Sequence, residues 1–319
     1  IQSVMNLRQL PYESLSIYAA DVETGEVLLR WRESEERNPA STIKLLTTLV
    51  ALDILGPSYR WKTDVFLRGE VTGDRLDGDL LLKGYGDPFL VTERVWQMLR
   101  AIRRMGIREI SGDLLIDDSF FDVGDYDPGA FDRQPLRAYN VAPNALLMNF
   151  KVVRYWFEPE PDSGSVKVQL DPSLDNLRVH NRLGLAARSC RGYQRGITIT
   201  TNEAVDEVTF TGKFPEGCKR YAMDRTALSH NEFVYGLFKS LWRDLGGRFD
   251  GGWRNVDVGT SVADDTQPFL SFSSLPLNEM IARVNKHSNN VMARQLVYTL
   301  SAEVNGPPGT EDGGRKVIS

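Results

Sequence analysis

The residues that follow Asn149 change the character of the chain, and this change restricts the folds that it can adopt. Over roughly 151–221, short runs rich in β-branched and aromatic residues alternate with polar turns. Val152, Tyr155 and Phe157 in the first of these runs suit strands better than helices. Apolar residues at helical spacing return in the segment 231–245. The sequence therefore predicts a small, mainly β module in the middle of the chain.

Strands and helices are both predicted outside this module, which indicates an α/β protein with more than one domain. The predicted strands cover 15–20, 26–31, 62–69, 80–83 and 110–116. The predicted helices cover 39–55, 92–105, 231–245, 277–284 and 291–302. A loop at 305–309 and a polar tail are expected to end the chain. A length of 319 residues allows two or three domains.

The composition excludes several classes of function. Apolar residues make up 41% of the chain and charged residues 25%, as in an ordinary globular protein. A net charge of −5 argues against nucleic acid as a partner, and no apolar run is long enough for a transmembrane segment. The three histidines share no ligand-like spacing, and the chain lacks a phosphate-binding glycine loop, so neither a metal nor a cofactor is expected.

The two cysteines, Cys190 and Cys218, flank two predicted strands, 196–201 and 207–213. A hairpin of these strands would bring the cysteines together, and a disulfide closing this loop would be worth about 3 kcal/mol. The alternative is two unrelated free thiols. A disulfide favours an extracytoplasmic compartment. The segment 1–4 shows no basic stretch followed by an apolar one, so a signal peptide is either absent or already removed.

Ser41 and Lys44 form a Ser-x-x-Lys pattern at the start of the predicted helix 39–55. With Asn38 as the N-cap and Pro39 as the first helical residue, Ser41 falls in the first turn. Residues three apart on a helix are neighbours, so the Lys44 amine can reach the Ser41 hydroxyl. The positive end of the helix and any burial would lower the pKa of Lys44 toward the neutral amine that a base requires.

The Ser-x-x-Lys pattern alone is weak, since about one such match is expected by chance in a chain of this length. The alternative is an ordinary helix start with a solvated lysine. Signatures of other hydrolases do not occur, because the chain has neither a His-Glu-x-x-His nor a Gly-x-Ser-x-Gly segment. A Ser-His-Asp triad could be assembled from any histidine, but it would lack a nucleophile elbow.

A Ser-Lys enzyme also needs a second polar group that passes the proton to the leaving group and holds the substrate. Two Ser-x-Asn tripeptides occur, at 229–231 and 288–290. The first opens a predicted helix, where serine and asparagine are expected as caps. The second, which contains Ser288 and Asn290, lies at a tight corner between two amphipathic helices. Its polar side chains could form a helix cap or the wall of a cleft.

The segments 39–44 and 285–290 together resemble the class C low-molecular-mass penicillin-binding proteins, which are D-alanyl-D-alanine carboxypeptidases and endopeptidases of bacterial peptidoglycan. The long interval between Ser41 and Ser288 is also similar, because these enzymes insert two extra domains between the motifs. The resemblance extends over nearly the whole chain. Further stretches that resemble the family, in its order, are 51–57, 83–88, 112–119 and 139–143.

The resemblance implies a role for each matching residue. Ser41 would be the acylated nucleophile, and Lys44 would be its base. Ser288 would relay the proton to the leaving D-alanine, and Asn290 would hold the amide of the substrate. Tyr139 matches a tyrosine that lines the substrate cleft. The implied partners are peptidoglycan stem peptides as substrates and β-lactam antibiotics as covalent inhibitors, in the periplasm or another extracytoplasmic space.

One motif of the family has no match in this chain. The pattern requires Lys-Thr-Gly or Lys-Ser-Gly on a strand after the Ser-x-Asn, and no lysine meets this requirement. That strand would supply a cation for the substrate carboxylate and one amide of the oxyanion hole. Loss of one oxyanion donor typically costs about 10²–10³ in rate. Because the chain ends where the catalytic domain of the family continues, we expect a fragment or a divided polypeptide rather than natural loss of the motif.

The resemblance implies a penicillin-binding-protein/β-lactamase-like catalytic domain, without its C-terminal part, that carries two nested inserted domains. The predicted function is that of a serine-type DD-peptidase. Two alternatives stay open: a catalytically incomplete peptidoglycan-binding or scaffold relative, and a β-lactam-hydrolysing enzyme, which the large insertion disfavours. The predicted domains are the catalytic domain at 1–61 and 263–319, the first inserted α/β domain at 62–150 and 222–262, and the inner β domain at 151–221.

Overall fold

The computed structural model describes residues 1–192, 196–256 and 266–319. Its contacts divide the chain into two compact units, which comprise 1–43 and 44–319. The predicted boundary between 262 and 263, where the first inserted domain would end, lies outside the described residues.

The unit 1–43 contains one short helix and one β-hairpin. Helix α1 covers Gln2–Leu7. Strands β1 (Ile17–Ala20) and β2 (Val27–Trp31) pair antiparallel. The Asp21 carboxylate accepts hydrogen bonds from two backbone N–H groups of the turn, at 3.0 and 2.7 Å, and so stabilises the reversal of the chain. The predicted N-terminal hairpin is confirmed.

Helices α2 to α7 follow along the chain, and most of them match the predicted helices within a few residues. The sequence predicts a polar tail in place of helix α7 (Glu311–Ile318), and this prediction is wrong. Thr310 caps α7 by accepting the N–H of Gly313 at 3.1 Å, and Gly314 lies so close to Val297 that a side chain would collide with the carbonyl of that residue. The helices cover Ile43–Leu55, Thr92–Arg104, His230–Asp244, Leu277–His287, Asn290–Asn305 and Glu311–Ile318.

A seven-stranded mixed sheet belongs to the unit 44–319. Its strands are β3 (Lys62–Thr72), β4 (Arg75–Gly84), β5 (Glu109–Ile110), β6 (Leu114–Asp117), β13 (Arg248–Phe249), β14 (Trp253–Asn255) and β15 (Leu270–Ser273). Strands β3 and β4 form an antiparallel hairpin, β15 pairs with β3, and β5 and β6 run parallel to β4. The hairpin is longer than predicted because its exposed polar residues continue the ladder to Thr72 and Arg75.

The predicted β module consists of two three-stranded sheets. Strands β10 (Ile197–Thr201) and β11 (Glu207–Pro215) pair antiparallel, as predicted, while β9 (Arg178–Ala186) and β11 pair parallel. A disulfide joins Cys190 to Cys218. The first sheet contains β7 (Val152–Glu160), β8 (Ser165–Asp171) and β12 (Tyr221–Thr226), and the second contains β9 (Arg178–Ala186), β10 (Ile197–Thr201) and β11 (Glu207–Pro215).

Helices α2, α5 and α6 pack around a small apolar core. The indole N–H of Trp61 donates to Thr299 Oγ1 at 2.9 Å and so joins the start of β3 to α6. This packing brings the first turn of α2 to the corner between α5 and α6. The buried members of the core are Ala51, Trp61, Leu277, Met280, Val284, Met292, Ala293, Leu296 and Leu300.

Candidate active site

Lys44 lies on the buried side of helix α2. Thr47, Thr48 and Ala51 follow at helical spacing and are also buried, and Ala51 belongs to the core shared with α5 and α6. Lys44 is only 7% exposed, and its Nζ donates to Ser288 Oγ at 3.3 Å. The fold therefore brings together a lysine and a serine that lie far apart in the sequence.

The surroundings of Lys44 favour its neutral form. Burial lowers the pKa of the Lys44 amine, and the guanidinium of Arg294 lowers it further. Burial removes water that would stabilise the ammonium, and a second positive charge repels it. A lowered pKa makes the amine easier to deprotonate, which is what a lysine acting as a general base requires.

Ser288 and Asn289 join helix α5 to helix α6. Ser288 is the C-cap of α5 and has φ 50° and ψ 40°, a left-handed conformation that residues other than glycine rarely adopt. Asn289 caps α6 by accepting the N–H of Met292 at 3.0 Å. Such a backbone costs on the order of 1–3 kcal/mol, and residues of this kind cluster at functional sites. The turn leaves Ser288 exposed while its hydroxyl contacts Lys44.

Asn285 fixes this corner to helix α2. Its Nδ2 donates to Thr48 Oγ1 at 3.2 Å, one helical turn beyond Lys44. Asn290 is the first residue of α6 and is half-buried. Lys44, Ser288 and Asn290 are thus placed around a single helix corner.

Tyr139 lies in a single 3₁₀ turn, Ala138–Asn140, and is held at both its side chain and its backbone. Its hydroxyl donates to Asp132 Oδ2 at 2.6 Å, and this hydrogen bond is the main reason that the pKa of Tyr139 is raised. Nη1 of Arg294 donates to the carbonyl oxygens of Tyr139 and Val141 at 2.9 and 3.3 Å. Because Arg294 follows Asn290 by one turn of α6, it ties the Tyr139 turn to the helix that begins at the corner.

Ser41 belongs to the unit 1–43 and is exposed. It lies in a 3₁₀ turn, Ala40–Thr42, and the α-helix begins only at Ile43. The prediction that Pro39 starts the α-helix is therefore wrong, because Ala40 has a left-handed φ of 46° that an α-helix does not accommodate. Asn38 still caps this segment, since its Oδ1 accepts the N–H of Ala40 at 2.8 Å.

The stretch 83–88 packs directly behind helix α6. The amide of the fully buried Gln295 donates to the carbonyls of Gly86 and Asn144 at 3.4 and 2.9 Å and accepts the N–H of Asn144 at 3.0 Å. Gly84 is required because a Cβ there would collide with the backbone of Ala145. Gly86, which lies in one of the segments that resemble the family in sequence, is therefore joined to the helix that carries Asn290.

The other Ser-x-Asn tripeptide, 229–231, is a helix cap, as predicted. Ser229 Oγ accepts the N–H of Glu232 at 3.3 Å, and the Glu232 carboxylate accepts the N–H of Ser229 at 2.9 Å. These two reciprocal bonds form a capping box at the start of α4.

Sequence reasoning missed Arg294, Asp132 and Thr48. Arg294 lies four residues after Asn290, so helical spacing could have placed it on the same side of α6. Asp132 and Thr48 act through contacts that only the folded chain creates.

The described residues contain no group of three or more histidine, cysteine, aspartate and glutamate side chains that could hold a metal ion. Among the helices of the described ranges, none is both long and apolar enough to cross a membrane.

Comparison with known proteins gives a consistent set of relatives. The model of the D-Ala-D-Ala carboxypeptidase 3 (S13) family matches residues 1–319. A D-alanyl-D-alanine carboxypeptidase of Actinomadura sp. is 28% identical over 314 residues, which are 93% of this chain and 56% of the relative. The D-alanyl-D-alanine carboxypeptidase DacB of Haemophilus influenzae is 27% identical over 291 residues, which are 91% of this chain and 59% of the relative. The chain therefore spans less than two thirds of the length of these relatives.

The fold also matches a solved structure. The crystal structure of penicillin binding protein 4 (dacB) from Haemophilus influenzae aligns with a TM-score of 0.77 and 19% identity, over 95% of this chain and 66% of that one. At this identity the match supports the mixed α/β fold alone. Because the family model covers every residue of the chain, the protein belongs to the D-Ala-D-Ala carboxypeptidase 3 (S13) family.

Proposed function

We propose that this chain provides the nucleophile and the base of a serine-type D-alanyl-D-alanine carboxypeptidase or endopeptidase that acts on peptidoglycan peptides. The observation that carries the proposal is the hydrogen bond from Lys44 Nζ to Ser288 Oγ, at 3.3 Å. This chain belongs to the S13 family, and the contact joins its Ser-x-x-Lys motif, through Lys44, to its Ser-x-Asn motif, through Ser288. The lowered pKa of Lys44 also fits a general base.

In the proposed acylation step, neutral Lys44 takes the proton of Ser41, and Ser41 Oγ attacks the carbonyl carbon before the terminal D-alanine. The C–N bond to that D-alanine breaks, and its nitrogen receives the proton through Lys44 and Ser288. The products are an ester on Ser41 and free D-alanine, or the amine of a cross-link in the endopeptidase reaction. Water then hydrolyses the ester and restores Ser41.

Asn290 and Tyr139 complete the proposed site. The side-chain amide of Asn290 would hydrogen-bond the backbone of the bound peptide, and the ring of Tyr139 would line the cleft. Tyr139 is 37% exposed, so its ring is accessible to a ligand. The bonds to Asp132 and Arg294 would hold this residue in place before the substrate arrives.

A β-lactam should acylate the same serine. Its leaving nitrogen stays attached through the opened ring, so the acyl-enzyme would persist. A second Haemophilus influenzae structure of penicillin binding protein 4, with a TM-score of 0.71 and 18% identity, is described as complexed with a novel β-lactam. A periplasmic or other extracytoplasmic location agrees with this substrate and with the disulfide between Cys190 and Cys218.

The test is covalent labelling of the intact gene product with a labelled penicillin, followed by mass spectrometry of its peptides. We expect a single adduct on Ser41, and none in the Ser41→Ala variant. Ser163→Ala changes an exposed serine in the turn between β7 and β8 and should label normally. An adduct at another residue, or no adduct on a folded protein, would refute the assignment.

A further inference from the structure

A cavity of about 370 Å³ lies between the Tyr139 turn and the inner β module. Strands β10 and β12 form one side of it, and the segment 137–139 forms the other. A volume of this size suits part of a peptide rather than a single ion. The residues that line it are Arg137, Ala138, Tyr139, Ile197, Tyr221, Ala222, Met223, Asp224 and Arg225.

Two arginines of this cavity have neutral hydrogen-bond partners. Nε of Arg137 donates to the side-chain amide oxygen of Gln134 at 2.7 Å, and Nη1 of Arg225 donates to the backbone carbonyl of Asp224 at 2.8 Å. The Asp224 carboxylate instead accepts two bonds from Arg154, at 2.7 and 2.9 Å. Over the described ranges, neither Arg137 nor Arg225 forms an ion pair with a carboxylate.

The charge of Arg137 acts unfavourably on the charged form of Arg225. Burial lowers the pKa of Arg225, and the charge of Arg137 lowers it further, while Asp224 acts in the opposite direction. Both side chains are half-buried, so water screens this repulsion less than it would on an open surface. An anion bound to both arginines would offset their positive charges.

The backbone holds the two arginines in a fixed relationship. The N–H of Thr226, at the end of β12, donates to the carbonyl of Leu136 at 3.0 Å. This bond joins the residue after Arg225 to the residue before Arg137. The cavity is therefore formed before any ligand binds, which reduces the entropy lost on binding.

We propose that this cavity binds a carboxylate of the peptide substrate, with Arg137 and Arg225 as its hydrogen-bond donors. This inference rests on the proposed function, because Tyr139 forms both a wall of the cavity and part of the proposed cleft. A guanidinium presents paired N–H donors that match the two oxygens of a carboxylate. The carboxylate belongs to a residue upstream of the two terminal D-alanines, since the amide bond between those two residues is the one that is cleaved in the proposed reaction.

The experiment compares two synthetic peptides, both ending in D-alanyl-D-alanine, on the intact gene product. One carries the free α-carboxylate of an upstream γ-linked D-glutamate, and the other carries the same carboxylate as an amide. We expect a higher kcat/KM for the free carboxylate. In Arg225→Gln and Arg137→Gln this preference should fall by about ten- to a hundredfold, because KM for the peptide with the free carboxylate rises.

Arg220→Gln is the matched control, because Arg220 is exposed next to β12 but does not line the cavity. It should keep the preference of the natural protein. Arg225→Lys, which keeps the charge without the paired donors, should retain part of it. If Arg225→Gln does not fold, Arg225→Lys still tests the inference, because a folded lysine variant with the full preference of the natural protein would overturn it.

An unchanged preference in folded Arg225→Gln and Arg137→Gln would overturn the inference, as would the absence of any preference in the natural protein. Failure of the proposed function is seen separately, as the absence of penicillin labelling on Ser41. In that case calorimetric binding of the two peptides still tests the carboxylate site. Equal affinities would then reject it.

Discussion

Nζ of Lys44 lies 3.3 Å from Oγ of Ser288, although 244 positions separate the two residues. Helix α2 carries the lysine on its buried side, and the corner between α5 and α6 carries the serine. The contact depends on the apolar core around Trp61 and Ala51, which packs these three helices together. The catalytic role proposed for Lys44 depends on this packing as much as on the motif.

Removing the amine of Lys44 should slow acylation far more than it affects folding. We expect Lys44→Met to reduce the rate of penicillin adduct formation by about 10²–10⁴, the usual contribution of a general base. The methionine can fill the buried space that the lysine stem occupies. Lys286→Met, at an exposed position of α5, should react at the natural rate. Near-normal acylation by Lys44→Met would reject Lys44 as the base.

Burial is the main cause of the lowered pKa of Lys44, and the charge of Arg294 should further lower the pH at which Lys44 becomes active. A base must be neutral, so acylation falls as the pH drops below the pKa of Lys44. Arg294 lowers this pKa, so Arg294→Gln should raise it and move the low-pH limb of the acylation rate to higher pH. Arg294→Lys keeps the charge and should leave this limb closer to its natural position. The measurement is the second-order rate of penicillin acylation across the pH range, and coincident limbs in the natural protein and Arg294→Gln would contradict the prediction.

The same two variants test whether Arg294 positions Tyr139. Its Nη1 bonds the carbonyls of Tyr139 and Val141, and neither lysine nor glutamine reproduces this pair of bonds from the same place. Both variants should therefore raise KM for a peptide substrate by about three- to tenfold, as expected for the loss of one or two hydrogen bonds. Arg104→Gln, at the exposed end of α3, is the control. A shift of the pH limb without a change in KM would restrict Arg294 to an electrostatic role.

Gly84 and Gly86 should not tolerate a side chain. A Cβ on Gly84 would collide with the backbone of Ala145, and Gly86 combines a φ of 86° with close contact to the ring of Phe121. We expect each alanine variant to reduce the free energy of unfolding by about 2–4 kcal/mol, measured by denaturant titration. Gly184→Ala, where nothing lies within 4 Å of the added Cβ, should change it little. If all three variants are as stable as the natural protein, the backbone at Gly84 and Gly86 can move enough to accept a side chain.

The sequence predicts those parts of the site whose chemistry is local. Ser41 and Lys44 lie within one turn of chain, and Ser288 and Asn290 lie within one helix corner, so spacing draws attention to both pairs and the resemblance to the penicillin-binding proteins implies their roles. Arg294 differs, because its partners are backbone carbonyls more than 150 positions away and a carbonyl leaves no signal in a sequence. The cavity at Arg137 and Arg225 depends in the same way on the bond between Thr226 and Leu136.

The same distinction applies to the fold. Strands β10 and β11 and helix α3 were predictable because their side chains carry strong periodic patterns. Helix α7 was not, since Gly313 and Gly314 are typical of a loop. Gly314 lies in the helix because α7 packs closely on Val297, and the sequence gives no sign of that contact.

Asp87 should make the protein less stable at neutral pH than at mildly acidic pH. It is 4% exposed, and burial raises its pKa from 3.8 to about 6. The folded state therefore binds this proton more tightly than the unfolded state, so the contribution of Asp87 to stability is lost as the pH rises from 3.8 through about 6. Asp87→Asn can keep the hydrogen bond from the N–H of Phe89, and we expect it to be more stable than the natural protein at pH above 7, by on the order of 1–3 kcal/mol. Near the lower end of this window the two proteins should be about equally stable in denaturant titrations. Asp162→Asn, at an exposed turn, is the control and should have the stability of the natural protein at every pH. If the difference in free energy of unfolding between Asp87→Asn and the natural protein does not change with pH, titration of Asp87 is not its cause.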